Sequence, residues 1–149
     1  MVELKTPGEI EAMAAAGEVV ARALAEVRKE AAVGVRTQDL DQVAREVLRG
    51  TGASSPFLGY QPSFASAPYP GVVCLSVNDA VLHGLPHDYV LRDGMTIAIE
   101  PWFMAGGRDA YRIDDDGWTL RSDDGSRGAH FEHTIAITDD QPRVLTKLT

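Results

Sequence analysis

The sequence predicts an α+β fold in which two N-terminal helices pack on one face of a mostly antiparallel sheet. In the N-terminal part of the chain, apolar residues recur at alternating spacings of three and four, the pattern of helices that bury one face. Short β-prone segments separated by turn residues follow, and helices first with strands afterwards is typical of the α+β class. We expect residues 1–149 to form a single domain, because a chain of 149 residues suits one hydrophobic core.

The first helix is predicted to begin at Thr6 and to end near Ala32. Thr6 is a typical N-cap residue, Pro7 suits the first turn, and Glu9 completes a capping box. Gly34 is a typical C-terminal stop. The apolar stripe that this helix would bury consists of Ile10, Met13, Gly17, Val20, Leu24 and Val27.

The second helix is predicted to begin with Thr37 as its cap and to end at Gly50 and Gly52. Its apolar residues share one face. We interpret the apolar faces of both helices as core surface and nothing more. The residues of this second face are Leu40, Val43, Val47 and Leu48.

The rest of the chain is predicted to contain one long loop and several short strands. The loop, Ser54–Gly71, is rich in Ser, Pro and aromatic residues, and long ordered loops often carry function. Pro101 is expected to stop the third strand. The predicted strands are Val72–Val77, Ala80–His83, Thr96–Glu100, Trp118–Arg121 and Ala129–Thr138.

Composition disfavours several classes of partner. The chain has 22 acidic and 14 basic residues and a formal net charge of -8, so it is a poor binder of nucleic acid and of anionic membranes. Cys74 is the only cysteine, which precludes a disulfide within the chain. No signal peptide or membrane-spanning segment is expected. We therefore expect a cytoplasmic protein.

Side-chain alternation along the last predicted strand separates an open face from a core face. His130 and Glu132 share the open face with Thr134, because successive side chains of a strand point to opposite sides. The opposite face is apolar enough to lie beneath the helices. That predicted core face carries Phe131, His133, Ile135 and Ile137.

The same alternation in Thr96–Glu100 places Glu100 on the open face, where it approaches Glu132 if the two strands pair. Two converging carboxylates repel unless a cation or a proton lies between them. Together with His130 or His83 they make a mixed nitrogen and oxygen set suited to Zn, Mn, Fe or Co. The alternative is an ordinary solvated pair, because most charged residues are exposed.

His83 precedes Gly84 at the end of a predicted strand. An imidazole in that position can act as a general acid or base, or donate a hydrogen bond to a substrate. The alternative is that His83 is simply a polar residue at a strand end.

Several short motifs, in the right order and covering nearly the whole chain, resemble those of type I methionine aminopeptidases. Any one of them alone is a weak signal, but jointly they are specific. They are Thr6–Ile10 with Ala16-Gly17, Phe57–Tyr60, Cys74–Asp79, His83–Pro86, Ile99–Pro101, Asp115–Thr119 and Phe131–Thr134.

The resemblance implies half of a pita-bread fold. Members of this family fold as two pseudo-symmetric halves around a two-metal centre, but here the sequence passes from His83–Pro86 almost directly to Ile99–Pro101. The missing stretch would hold both bridging aspartates, the histidine ligand and a second catalytic histidine. Of the five family ligands only Glu100 and Glu132 remain. His130 stands where the family commonly has Gln, so a mononuclear site of Glu100, Glu132 and His130 is stereochemically feasible.

The resemblance also assigns a catalytic residue and a pocket. His83 matches the histidine that contacts the substrate amide. Gln61 replaces a usual His, and the segment Ser63–Pro68 is an insertion relative to the family. The residues that match the wall of the methionine side-chain pocket are Phe57, Tyr60, Tyr69, Cys74 and Trp118.

Three functions follow from this resemblance. The first is a repurposed or weakly active enzyme that acts on a small or peptide-like substrate through His83 and the Glu100/Glu132 cluster. The alternatives are a genuine metal-dependent aminopeptidase that removes N-terminal Met and a non-catalytic peptide-binding module. One divalent metal, Zn, Mn, Fe or Co, or none is expected.

Loss of one half of the fold also bears on assembly. It would leave an apolar sheet face open, so we expect a homodimer that rebuilds the full fold, with a monomer as the alternative.

Overall fold

A computed structural model of the chain describes residues 6–63, 65–80, 82–104, 111–113, 120–126 and 128–146. The helices lie on one face of a mostly antiparallel sheet, so the predicted α+β class is confirmed. Within this described part, neither helix combines the length and the apolar character needed to cross a membrane. The elements are α1 (Pro7–Glu30), α2 (Thr37–Thr51), β1 (Val73–Val77), β2 (Thr96–Met104), β3 (Tyr111–Ile113), β4 (Leu120–Ser122), β5 (Gly128–His130), β6 (His133–Ala136) and β7 (Arg143–Val144).

The capping box predicted at the start of α1 is present. The backbone N–H of Glu9 donates to Thr6 Oγ1 at 3.3 Å, and the backbone N–H of Thr6 donates to the Glu9 carboxylate at 2.8 Å. The predicted apolar stripe is wrong at its beginning, because Ile10 and Met13 are 54% and 39% exposed. Side chains of α1 are buried only from Ala16 onward.

The second helix uses a different cap from the one predicted. Arg36 is the N-cap residue, and its N–H donates to the Asp39 carboxylate at 3.3 Å. Thr37 is instead the first helical residue. Its hydroxyl bonds the backbone of His87, donating to the carbonyl oxygen at 3.0 Å and accepting from the N–H at 3.1 Å. Gly52 follows the helix in a left-handed conformation, with φ of 69°.

The hydrophobic core lies between the helices and one face of the sheet. Leu40 of α2 packs there together with Ile97, Ile99 and Ile135 of the strands, and all four side chains are fully buried. Each such side chain contributes roughly 1.5–3 kcal/mol through burial. The apolar face of α2 lies in this core, as predicted. Asp41, which is outside that face, is also buried.

The main sheet has the strand order β1-β2-β6-β7, with β5 also paired to β2. Every strand pair in the described residues is antiparallel. Strands β3 and β4 form a separate two-stranded sheet. Strand β4 covers the end of the predicted strand Trp118–Arg121, whereas Trp118 itself lies outside the described residues.

Strand β2 does not stop at Pro101, as the sequence predicts, but continues to Met104. Proline has no N–H to donate. The N–H of Leu75 donates to Gly84 and not to β2, so alternation along the β1–β2 pair directs the nitrogen of Pro101 away from β1. On that other side, residues 131 and 132 belong to no strand. Pro101 therefore removes no hydrogen bond that the sheet would otherwise form.

The last predicted strand, Ala129–Thr138, is divided into β5 and β6 at residues 131 and 132. Both strands pair with β2 in one common register, with Trp102 opposite His130 and Ile99 opposite His133. This register leaves Pro101 opposite Phe131, where the ladder is interrupted. Phe131 is 52% exposed, so its predicted place in the core is wrong.

Residues 82–86 form no strand, contrary to the prediction for Ala80–His83. His83 has a positive φ of 54°, which breaks an extended conformation. The next residue, Gly84, lies along the edge of β1 that faces away from β2, and its carbonyl accepts the N–H of Leu75 at 2.9 Å. A Cβ atom at Gly84 would collide with the Leu75 carbonyl group, which explains the glycine at this position.

The sheet face that points away from the helices is mixed in character. Strand β2 presents Thr96, Ala98, Glu100 and Trp102 there, each partly exposed. The sequence-based expectation of an open apolar face therefore does not describe this surface. The homodimer that this expectation motivated stays a prediction.

Two phenylalanines provide a test of this arrangement. Phe103 is fully buried in the core and Phe131 is half exposed. We expect Phe103→Ala to lower the free energy of unfolding by about 3–5 kcal/mol, and Phe131→Ala to lower it by less than about 1 kcal/mol. Urea denaturation of both variants measures the difference, and equal losses would contradict the assignment of Phe131 to the surface.

Candidate functional site

An aromatic pocket of about 600 Å³ is lined by side chains from β1, β2 and the loop before β1. Its wall is largely uncharged. Its lining includes Phe57, Tyr60, Tyr69, Cys74, His83 and Trp102. Five of these six are residues that the sequence analysis singles out, and their role in binding a substrate stays a prediction. The remaining predicted pocket residue, Trp118, lies outside the described residues.

The loop that carries much of this wall is closed at its base. The backbone N–H of Tyr69 donates to the Tyr60 carbonyl at 2.7 Å, and the N–H of Gly59 donates to the Tyr69 carbonyl at 2.9 Å. Inside the loop, the Gln61 side chain donates to the Ala65 carbonyl at 3.3 Å. Residues 65–68 line the pocket, and their assignment to an insertion relative to the family stays a prediction.

Trp102 is a pocket residue that the sequence analysis missed. Its ring lies 5.5 Å from that of Phe57 in an edge-to-face arrangement, and Phe57 in turn lies 5.7 Å from Tyr69. The alternation of side chains along the strand could have identified Trp102, because it follows Glu100 by two residues and so shares its face of the sheet. The expectation that Pro101 ends the strand concealed this relation.

Cys74 contributes an apolar wall. The side chain is 2% exposed, and burial raises the pKa of its thiol to about 12, although a hydrogen bond with Tyr69 acts in the opposite direction. Burial likewise raises the pKa of Tyr69. Both groups are therefore protonated at neutral pH, and Cys74 is not a nucleophile, since the thiolate is the reactive form.

His83 lies at the exposed rim of the pocket. Its neighbour Gly84 is held in three ways: the Gly84 N–H donates to Ser76 Oγ at 3.0 Å, and the Gly84 carbonyl accepts from Leu75 and from the Tyr69 hydroxyl at 2.7 Å. The backbone that carries the imidazole is therefore fixed, while the ring itself reaches solvent.

Two carboxylates lie beside the pocket. Cys74 is opposite Glu100 in the β1–β2 pair, and the register of β2 with β5 and β6 leaves Glu100 opposite Glu132. Burial raises the pKa of Glu100, the charge of Glu132 raises it further, and His130 and His83 lower it. An apolar pocket next to two carboxylates is complementary to a molecule that carries a cationic group beside an apolar side chain.

The described donors do not fit a metal centre as they are placed. A catalytic zinc ion has about three protein ligands. Within the described ranges, no three His, Cys, Asp or Glu side chains lie close enough to hold one ion. His130 is 67% exposed, and its Nδ1 atom lies 4.0 Å from Glu100 Oε1. The assignment of Glu100, Glu132 and His130 as ligands of one divalent metal stays a prediction.

Comparison with known proteins gives one consistent result. The model of metallopeptidase family M24 matches residues 11–94. The chain is 26% identical to methionine aminopeptidase of Aquifex aeolicus, over 99% of this chain and 99% of that protein. It is 38% identical to methionine aminopeptidase 2 of Mycobacterium tuberculosis, over 70% of this chain and 34% of that protein. Among solved structures, methionine aminopeptidase of Thermotoga maritima matches with a TM-score of 0.53 and 25% identity, covering 99% of this chain and 100% of that one.

The alignment with the Aquifex protein also shows that this chain is the shorter of the two. It runs over 257 positions, whereas this chain has 149 residues, so at least 108 positions of the alignment are gaps in this chain. Because the alignment covers 99% of both proteins, these gaps are internal.

Substitution of Glu132 tests the electrostatics of the two carboxylates. We expect Glu132→Gln to lower the pKa of Glu100, because the charge of Glu132 is one cause of the upward shift. A raised carboxyl pKa favours the folded state at low pH, and this stability is lost as the pH rises through the raised value. The variant should therefore lose less stability as the pH rises from the ordinary pKa of a glutamate to the raised pKa of Glu100.

An NMR titration of the Glu100 carboxyl carbon measures this pKa directly. Glu11→Gln, at an exposed position on α1, is the control and should leave it unchanged. An unaltered Glu100 titration in Glu132→Gln would show that the two side chains do not face each other.

Proposed function

The chain belongs to metallopeptidase family M24, and from this premise we propose that it acts on small or peptide-like substrates with a free amino terminus and an apolar first side chain. One observation carries the proposal: strand register makes the wall residue Cys74 and the two carboxylates, Glu100 and Glu132, neighbours in one row. The similarity to methionine aminopeptidases points to methionine as that first residue.

The first side chain would enter the aromatic pocket. A methionine side chain is flexible and polarizable, and sulfur packs favourably against aromatic rings. Phe57, Tyr69 and Trp102 offer such rings. The protonated thiol of Cys74 adds a small uncharged wall.

The amino terminus would lie against the carboxylates. Glu100 and Glu132 repel each other as they stand, which contributes to the raised pKa of Glu100. An ammonium group between them would compensate that repulsion and favour the ionised form of both. A free amino terminus is therefore the feature of the substrate that this pair recognises.

His83 would act on the first peptide bond. Its ring lies at the rim of the pocket, on a backbone fixed through Gly84. From there an imidazole can exchange a proton with the substrate amide. We propose that hydrolysis by this chain is weak, because the described residues do not gather the three ligands of a catalytic metal.

A second candidate function is peptide binding without catalysis. The described residues gather no three ligands for a catalytic metal, which favours this second function. The pocket and the carboxylate pair would bind a peptide equally well without catalysis. Turnover distinguishes the two candidates.

Calorimetric binding of the peptide Met-Ala-Ser, with a chelator present, tests recognition. We expect N-acetylation of the peptide to weaken binding roughly tenfold, since a charged hydrogen bond to the carboxylates is lost. Glu100→Gln should weaken binding of the free peptide and leave that of the acetylated peptide unchanged. Glu46→Gln, at an exposed position of α2, is the control. Equal affinity for both peptides would contradict the proposed recognition.

Release of methionine from the same peptide, followed by mass spectrometry with and without added Zn²⁺ or Mn²⁺, tests catalysis. We expect slow release that His83→Ala abolishes and that the control His87→Ala, also exposed, preserves. Binding without any release would establish the second candidate. Fast, metal-dependent release that Glu132→Gln abolishes would instead establish a genuine metal-dependent aminopeptidase.

A further inference from the structure

A stripe of polar residues on α2 contacts two segments next to the aromatic pocket. One is the segment 69–74 that leads into β1, and the other is the segment 83–87 that carries His83. Thr37, Asp41 and Arg45 are spaced four residues apart and so share one face of the helix. Thr37 and Asp41 are 1% and 3% exposed. Buried polar groups are retained where they are hydrogen-bonded. Besides the contact between Asp41 and Arg45, each of the three bonds the backbone of a segment remote in sequence from α2.

Asp41 holds the segment that leads into β1. Its Oδ1 atom accepts the backbone N–H groups of Val72 at 2.6 Å and Val73 at 3.3 Å, and its Oδ2 atom accepts Arg45 Nε at 2.7 Å. Arg45 Nη2 in turn donates to the Pro70 carbonyl at 2.6 Å. The pair therefore fixes residues on both sides of Gly71, between the pocket residues Tyr69 and Cys74.

Gly71 brings the two segments into contact. A Cβ atom there would lie 2.5 Å from Pro86 Cγ and 2.9 Å from Asp41 Oδ1, so the backbone fits closely between them. Thr37 fixes the chain just after Pro86 through the two hydrogen bonds with His87. The helix therefore sets the separation between the Tyr69–Cys74 wall and the segment that carries His83.

We propose that Asp41, with Arg45, is a positioning residue that sets the width of the aromatic pocket and thereby its selectivity for a large first side chain. This inference rests on the proposed function. Asp41 is remote from the substrate in this account and acts through Val72, Val73 and Pro70. A residue with a merely structural role would change the stability of the whole chain and not the choice between peptides.

The test compares two peptides, Met-Ala-Ser and Gly-Ala-Ser, which differ in the side chain that enters the pocket. Partial unfolding reduces binding of both equally, so the ratio of their dissociation constants is insensitive to stability. We expect the dissociation constant of Gly-Ala-Ser divided by that of Met-Ala-Ser to fall about tenfold in Asp41→Ala, the size of effect seen when a hydrophobic pocket loses its fit. Asp41→Asn, which retains an acceptor oxygen, should restore part of the ratio, and the exposed control Glu46→Ala should leave it unchanged.

Hydrogen exchange at Val72 and Val73 provides the second readout. We expect both amides to lose protection in Asp41→Ala and to keep it in Glu46→Ala. If Asp41→Ala does not fold, Arg45→Met, at the partly exposed member of the pair, is compared by the ratio of dissociation constants alone, and an unchanged ratio in that folded variant overturns the positioning role.

The outcomes separate the two proposals. A wild-type chain that does not prefer Met-Ala-Ser overturns the proposed function, and this inference with it. A wild-type chain that does prefer it, combined with an unchanged ratio in variants whose Val72 and Val73 amides have lost protection, overturns the positioning role alone.

Discussion

The register between β1, β2 and the strands that follow sets which side chains surround the proposed binding site. It sets Cys74 opposite Glu100 and leaves Glu100 opposite Glu132. A shift of one residue in either pairing would turn one of these side chains to the helix-covered face. The same register brings Trp102, two residues beyond Glu100, to the lining of the aromatic pocket. The pocket and the two carboxylates are therefore neighbours because the same strand register positions both.

Asp41 and Glu100 differ in the groups that surround their carboxylates. Asp41 accepts hydrogen bonds from two backbone amides and from Arg45, so its charge is compensated inside the protein. Glu100 faces Glu132, and both burial and that neighbouring charge raise its pKa. The first arrangement is typical of a residue that holds structure together. The second leaves a repulsion that a cationic ligand can compensate, which is why the proposed recognition of an amino terminus involves Glu100.

Much of this arrangement could be predicted from sequence because it depends on local periodicity. The capping box of α1 and the strand faces that bring Glu100 toward Glu132 follow from the spacing of residues in the chain. What could not be predicted depends on contacts between distant segments. Pro101 lies within a strand because the chain opposite it, at Phe131, forms no ladder. Asp41 resembles an ordinary solvent-facing residue until the loop before β1 packs on it.

The proposed function requires that the first side chain of a peptide enters the aromatic pocket while the amino terminus of the same peptide lies against the carboxylates. Intermolecular NOEs from a peptide whose N-terminal methionine carries a ¹³C-labelled methyl group test this most directly. We expect NOEs from that methyl group to the rings of Phe57 and Trp102. NOEs from a bound peptide only to residues elsewhere, such as Phe131, would contradict it.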